Sequence, residues 1–156
     1  MVIVLFVYLL AVACWLGSVV FFSFFTAPIV FTRLPIAEAG KVVGGIFPLY
    51  YALGYGAGAI AVASAIYFAT ARGPRLWWGA AAFALAIALA LTLYAGVVVR
   101  PRVDQIRTVA EEQNPDPARK AEFDHLHHLS VVLNGAVLML NLAALAATAG
   151  ALNSRG

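Results

Sequence analysis

The sequence predicts an all-α membrane protein in which four transmembrane helices form an up-down-up-down bundle. The chain has 156 residues, of which 63% are hydrophobic and 11% are charged, whereas a soluble domain carries roughly a quarter charged residues. Stretches without Asp, Glu, Lys or Arg cover 1–32, 42–71, 76–99 and 129–154. Each is longer than the roughly 20 helical residues that cross a bilayer core. A single four-helix domain, 1–156, therefore accounts for the chain, and its short connections favour alternating directions.

Span 1 is expected at about residues 2–31. A helix of this length measures about 45 Å and exceeds the hydrocarbon core of roughly 30 Å, so it has to tilt, kink or project. Pro28 lacks a backbone N–H and is the expected kink. One side of this helix carries the residues expected to face inward: Trp15, Ser18, Phe22 and Thr26.

Span 2 is expected at about residues 42–70, after a polar connection from Arg33 to Lys41. Gly54 and Gly58 form a pair of small residues one helical turn apart. Such a pair allows another helix to approach the backbone closely.

Span 3 is expected at about residues 76–99. Trp77 and Trp78 lie at its start, where the aromatic belt of a membrane interface belongs. A helical period of apolar residues continues past Arg100, which predicts that the helix extends beyond the membrane to about Glu112.

Span 4 is expected at about residues 126–151, at the end of a longer helix. Asp116 and Pro117 form a helix start, with Asp as the N-cap and Pro at the first helical position. The polar stretch 100–125 is therefore expected to be a helical hairpin, in which helices 3 and 4 project from the bilayer.

The distribution of Lys and Arg predicts the orientation. Seven of them lie in the connections after spans 1 and 3: Arg33, Lys41, Arg100, Arg102, Arg107, Arg119 and Lys120. Three lie on the opposite side: Arg72, Arg75 and Arg155. The protein is expected in the cell inner membrane. The positive-inside rule places the connections with seven Lys and Arg residues in the cytoplasm and both termini outside the cytoplasm. Membrane lipids are the expected partners. Nucleic acid is not expected, because the sequence has no cluster in which basic residues alternate with exposed aromatic residues.

Span 4 carries a polar stripe, formed by His127, Ser130, Asn134 and Asn141. At about 100° per residue these side chains fall within roughly 60° of one another, and Phe123 falls on the same side. Imidazole, hydroxyl and amide groups are costly in lipid, so they are expected to face other helices, a cavity or a ligand.

His127 is also the candidate for a metal or haem ligand, because a neutral imidazole binds metals. Its neighbours His125 and His128 project about 160° and 100° away from it, so one helix cannot direct all three at one ion. No second His lies in spans 1–3. A hydrogen-bonded structural role for His127 stays open beside haem or a transition metal as cofactor.

Three blocks of the sequence resemble the transmembrane protein 205-like family of four-helix membrane proteins. The first block is Phe31-Thr32-Arg33-Leu34-Pro35, Gly40 and Ile46-Phe47-Pro48-Leu49-Tyr50-Tyr51; the second is Arg100-Pro101-Arg102 with Glu111-Glu112; the third is Phe123, His127, Ser130 and Asn134. The resemblance implies the four-helix fold and the place of the site, but no reaction. The chain departs from the family at Ala95-Gly96-Val97, where a polar residue is expected.

The expected function is non-enzymatic: the polar core binds or moves a small ligand, a lipid headgroup or a metal ion near the cytoplasmic side. His127, Ser130 and Asn134 are expected to line this site. Its mouth is expected to carry further polar side chains: Arg33, Tyr50, Tyr51 and Arg100. Two alternatives stay open, a haem- or metal-dependent redox protein using His127 and a structural subunit of a homo-oligomer or larger membrane complex.

Overall fold

The computed structural model describes residues 1–71, 74–106 and 116–154, and these are almost entirely helical. Within those ranges, four helices are long and apolar enough to cross a membrane: Val2–Arg33, Ile36–Ala71, Arg75–Ile106 and Pro117–Asn153. They are spans 1 to 4 below. The expected all-helical class, with four helices long and apolar enough to span a membrane, is therefore confirmed.

Spans 1 and 3 each contain one turn of π-helix. These turns cover Phe22–Thr26 in span 1 and Ala95–Val99 in span 3. The N–H groups of Ala27 and Arg100 donate to carbonyls five residues earlier. In both spans a proline follows two residues after the π turn, at positions 28 and 101. Proline has no N–H and its ring crowds the carbonyl four residues back, so the regular bonding pattern is disrupted in this stretch.

The connection between spans 1 and 2 is shorter than expected. Only Leu34 and Pro35 separate the two helices, because span 2 begins at Ile36. The Ala39 N–H donates to the Pro35 carbonyl at 2.9 Å, which starts the helix directly after the proline. The residues of the expected polar connection from Ile36 to Lys41 are therefore helical.

Span 4 begins at Pro117, and Asp116 precedes it as the N-cap. Its carboxylate Oδ1 accepts from the Ala118 N–H at 3.3 Å. The helix continues from there through the whole stretch that is expected to lie in the membrane. The expected continuation of span 3 from Ile106 to about Glu112 lies outside the described residues.

The interior is built from a few large rings and many small residues. The largest fully buried side chains include Trp15, Trp78, Tyr8, Phe68 and Leu85. Alanines occupy many of the buried core positions of spans 3 and 4: Ala81, Ala84, Ala88, Ala144, Ala147 and Ala151. Small side chains let helices approach closely, which is how van der Waals contact holds a bundle together in lipid.

Trp78 is fully buried, so its expected place in an interfacial belt is wrong. Its ring stacks on Phe68 at 4.5 Å between centroids and meets the edge of Tyr8 at 5.3 Å. Trp77 is the exposed member of the pair, and its ring packs against Gly150.

Spans 1, 2 and 3 meet at the two glycines of span 2. A Cβ atom on Gly58 would lie 2.9 Å from Leu89 Cδ1 and 3.0 Å from the Trp15 ring. On Gly54 it would lie 3.1 Å from Thr92 Cγ2. The close approach expected from the Gly54–Gly58 spacing is therefore present.

The four contacts between neighbouring spans differ in extent. Span 3 packs extensively on both span 2 and span 4, and span 1 packs on span 2. The contact of span 1 with span 4 is much less extensive. We call this contact the thin seam.

Candidate functional site

Asn134 connects three of the four spans through hydrogen bonds. Its side-chain Oδ1 accepts from the Tyr50 hydroxyl of span 2 at 2.5 Å. Its Nδ2 donates to the Ser23 Oγ of span 1 at 2.7 Å. We call Ser23, Tyr50 and Asn134 the polar node. Asn134 is partly buried, and an amide inside a membrane protein needs such partners, so the node accounts for an otherwise costly residue in span 4.

A small cavity lies beside the polar node, between spans 2, 3 and 4. Its volume is about 20 Å³. Eight residues line it: Tyr50, Tyr51, Thr92, Ala95, Ser130, Leu133, Asn134 and Val137. A buried water needs roughly 10–15 Å³ of such space, together with two to four polar partners. The cavity therefore accommodates one water-sized species, whereas a lipid headgroup or haem is far larger.

Two hydroxyl groups of the cavity wall are bonded to their own helices. Ser130 donates to the Leu126 carbonyl at 2.9 Å, and Thr92 donates to the Ala88 carbonyl at 2.8 Å. These are bonds across one helical turn, which Ser and Thr commonly make within apolar helices. Both hydroxyl protons are therefore already used, while the oxygens keep free lone pairs.

Aromatic rings surround the polar node and continue along span 2. The Tyr50 ring lies 5.0 Å from Phe22 and 5.3 Å from Tyr51, and Tyr51 lies 6.1 Å from Tyr55. Arg100 lies within electrostatic range of Tyr51 and Tyr55. The three tyrosine rings thus follow one another along span 2, beginning at the cavity.

Gly96 leaves the space that Tyr51 and Tyr55 occupy. A Cβ atom at this position would lie 2.8 Å from the Tyr51 ring and would clash with the Tyr55 hydroxyl. Gly96 belongs to the π turn of span 3, and its neighbour Ala95 lines the cavity. The departure from the expected polar residue at 95–97 therefore coincides with close approach of two tyrosines from span 2.

Four of the seven residues predicted from the sequence come together at the cavity: Tyr50, Tyr51, Ser130 and Asn134. The other three lie elsewhere. Arg33 is exposed at the end of span 1. Arg100 is partly buried, with its Nε 3.4 Å from Asp104 Oδ2 in an ion pair along span 3.

His127 lies on the outer surface of the bundle and does not line the cavity. Its ring is parallel to that of Phe123, with centroids 6.3 Å apart. Asn141, the last member of the polar stripe, is fully buried but also lies outside the cavity wall. Its Nδ2 donates to the Val137 carbonyl at 2.9 Å, and its Oδ1 has no partner among the described residues.

No group of three or more His, Cys, Asp or Glu side chains that could hold a metal ion occurs among residues 1–71, 74–106 and 116–154. His127 therefore has no set of co-ligands within these ranges. The cavity wall offers hydroxyl and amide oxygens instead, and these suit water or hard cations rather than transition metals.

The sequence pattern does not single out Ser23 or Thr92. Ser23 is about 100° away from the inward face expected for span 1, and the π turn that starts at Phe22 changes the register of the helix there. Thr92 has a detectable signal, since it is the one Ser or Thr in the expected span at 76–99. A lone hydroxyl residue in an apolar span is a reasonable candidate for the interior.

Comparison with known proteins identifies a family by sequence. No curated protein and no solved structure shows significant similarity to the chain. Residues 10–112 match the family model of a domain of unknown function, DUF4149. This match includes spans 2 and 3 and most of span 1, and it covers well over half of the chain. The protein therefore belongs to the DUF4149 family.

Proposed function

We propose that the protein is a non-enzymatic, multi-pass protein of the cell inner membrane that binds or moves a small polar ligand in the cavity beside the polar node. The observation that carries this proposal is the cavity beside Asn134. Five of its eight lining residues are polar, in a bundle whose other interior contacts are mostly apolar. Polar groups inside a membrane protein are costly and commonly mark a functional site.

The size of the cavity reduces the range of ligands that the sequence leads us to expect. A species about the size of a water molecule fits without rearrangement, because the volume is about 20 Å³. A lipid headgroup would require spans 2, 3 and 4 to separate. We therefore propose Tyr50, Tyr51, Ser130 and Asn134 as ligand-binding residues, together with Thr92.

A high-resolution structure of the purified protein in lipid nanodiscs tests the proposal. Density for a bound species is expected in the wild-type cavity and is expected to disappear in an Asn134→Leu variant. His127→Ala is the matched control on the same helix, and it should leave the density unchanged because this side chain lies outside the cavity. An empty wild-type cavity contradicts the proposal.

We further propose that the four spans alternate in direction and that helices 3 and 4 extend beyond the membrane. Two contacts between spans 1 and 4 support alternation: Tyr8 bonds to Thr148, whereas Ser23 bonds to Asn134. The later residue of span 1 thus meets the earlier residue of span 4. Helices of 32 to 37 residues are longer than a bilayer core requires, which supports the extensions.

The proposed orientation places both termini outside the cytoplasm, since the connections after spans 1 and 3 carry most of the Lys and Arg. Fusion of reporters to the C-terminus tests it. Alkaline phosphatase is expected to be active there and green fluorescent protein to be dark. The opposite pair of results contradicts the orientation.

The other interpretations of the sequence remain predictions. They are a haem- or metal-dependent redox role using His127, a structural subunit role and membership of the transmembrane protein 205-like family. No contact among the described residues favours one of them over the polar-node proposal. An absorption spectrum and a metal analysis of the purified protein test the first directly.

A further inference from the structure

The hydrogen bonds around the cavity determine which kind of ligand its wall can hold. Three hydroxyl groups of the wall already donate their single O–H in hydrogen bonds within the protein. Thr92 donates to Ala88, Ser130 donates to Leu126, and Tyr50 donates to the Asn134 Oδ1. A hydroxyl has one proton and two lone pairs, so each of these oxygens is left as an acceptor.

The amide of Asn134 does not reverse this balance. One of its N–H groups is directed to Ser23, and its Oδ1 keeps a second lone pair beside the bond from Tyr50. The Tyr51 hydroxyl has no hydrogen-bond partner within the described residues, and it can turn either way. Free acceptors therefore outnumber free donors around the cavity.

The charged residues near the cavity also favour a ligand that binds to acceptor oxygens over an anion. None of the eight lining residues is Lys, Arg or His. The nearest cation on span 3, Arg100, already lies 3.4 Å from Asp104. An anion in the cavity would thus find few donors and no positive charge, which makes its desolvation expensive.

We infer that the cavity selects a water-sized ligand that binds to acceptor oxygens. This ligand is either a water molecule that donates hydrogen bonds or a small monovalent cation such as Na⁺. Neutral hydroxyl and amide oxygens are suitable partners for both. This inference rests on the proposed function and adds the class of its ligand. It excludes chloride, formate and similar anions as occupants.

Thermal unfolding in detergent at constant ionic strength distinguishes a bound cation from a bound water molecule. One series compares the chlorides of lithium, sodium, potassium and choline, and a second compares sodium chloride, nitrate and formate. A cation-specific rise of roughly 3 °C or more at tenfold excess over the dissociation constant identifies a cation. No dependence on either ion, together with ordered density and donor geometry at high resolution, identifies water.

Asn134→Asp sharpens the test because it keeps the shape of the side chain and adds a negative charge; its second oxygen accepts from the Ser23 hydroxyl where Nδ2 donated to it. A cation-specific rise should become larger in this variant, and it should vanish in Tyr50→Phe and Thr92→Val. Tyr8→Phe is the matched control, since it removes a buried phenol bonded to span 4 at the distant Thr148. That variant should keep the full response.

Two outcomes overturn the inference. The first is stabilisation that follows the anion series, and the second is density for an anion in the cavity. Both would leave the proposed binding function intact and reject only the ligand class. An empty cavity would instead reject the proposed function itself.

Discussion

At the scale of single residues, Asn134 is a position where a small change should have a large effect. We expect Asn134→Leu to lower the free energy of unfolding by about 1–3 kcal/mol, because the Tyr50 and Ser23 hydroxyls lose their partner. Tyr50→Phe should cost about 0.5–1.5 kcal/mol. The double variant should cost less than the sum of the two, since both remove the same bond. Unfolding titrations in mixed micelles measure all three.

Asn141 provides the matched control on the same helix. Its amide is fully buried but bonds only to the Val137 carbonyl of its own span, and its oxygen has no partner in the described ranges. Replacement of an unsatisfied polar group by Leu of similar size should cost little or even stabilise. Equal losses for Asn134→Leu and Asn141→Leu would show that the polar node does not hold the spans together.

The periodicity of span 4 identifies Ser130 and Asn134, and the structure brings both to the cavity. It does not distinguish them from His127, because a helical wheel gives direction around the axis but not the extent of the neighbouring helices. At the level of His127 the last turns of span 1, Ala27–Arg33, pack mainly on span 2, so the imidazole is left at the surface.

At the scale of elements, glycine spacing in span 2 sets how closely the helices pack. We expect Gly58→Ala to destabilise the protein by about 1–3 kcal/mol, because the new methyl would overlap Leu89 and the Trp15 ring. Gly56→Ala is the control two residues away, where a Cβ atom meets nothing within 4 Å. That variant should be neutral or stabilising by up to about 1 kcal/mol, since Ala favours helix.

Thermal unfolding of both variants in the same detergent measures the difference. A similar melting temperature for Gly58→Ala and Gly56→Ala would mean that Trp15 moves aside without cost. A larger loss for Gly56→Ala would contradict the packing of spans 1, 2 and 3 described above.

The lengths of the apolar stretches predict the four helices, whereas the two π turns are not predictable from periodicity. A π turn adds one residue without changing the apolar composition, so Phe22–Thr26 and Ala95–Val99 look like ordinary helix in the sequence. Their prolines are the visible signal, and Pro28 indicates a disrupted helix without indicating its form. The position of Ser23 depends on that form.

At the scale of the whole molecule, the thin seam between spans 1 and 4 depends on two hydrogen-bonded contacts. Tyr8 bonds to Thr148 at 2.6 Å, and Ser23 bonds to Asn134 at 2.7 Å. The Thr148 hydroxyl donates its proton to the Ala144 carbonyl, so Tyr8 is the donor in the first pair. The seam has little other contact to replace these bonds if they are lost.

We expect a Tyr8→Phe, Ser23→Ala double variant to loosen span 1 without unfolding the rest. Amide hydrogen exchange should accelerate several-fold in span 1, whereas the alanine-rich contact of spans 3 and 4 should keep its protection. Tyr94→Phe is the control, because this tyrosine lies on the outer surface and its loss should change nothing. Uniform acceleration in all four spans would contradict a seam that opens locally.

The same two contacts have a consequence for biosynthesis, because each joins the beginning of the chain to its end. The partners of Ser23 and Tyr8 lie 111 and 140 residues further along the chain. At about 5–20 residues per second, the ribosome reaches Thr148 roughly 7–28 s after Tyr8. During that interval the Tyr8 hydroxyl lacks its partner on span 4, and its phenol cannot bond to its own helix as a Ser or Thr hydroxyl can. Span 1 therefore lacks these partners until span 4 has been inserted, and a chain truncated before Asn134 should be degraded readily by membrane quality-control proteases.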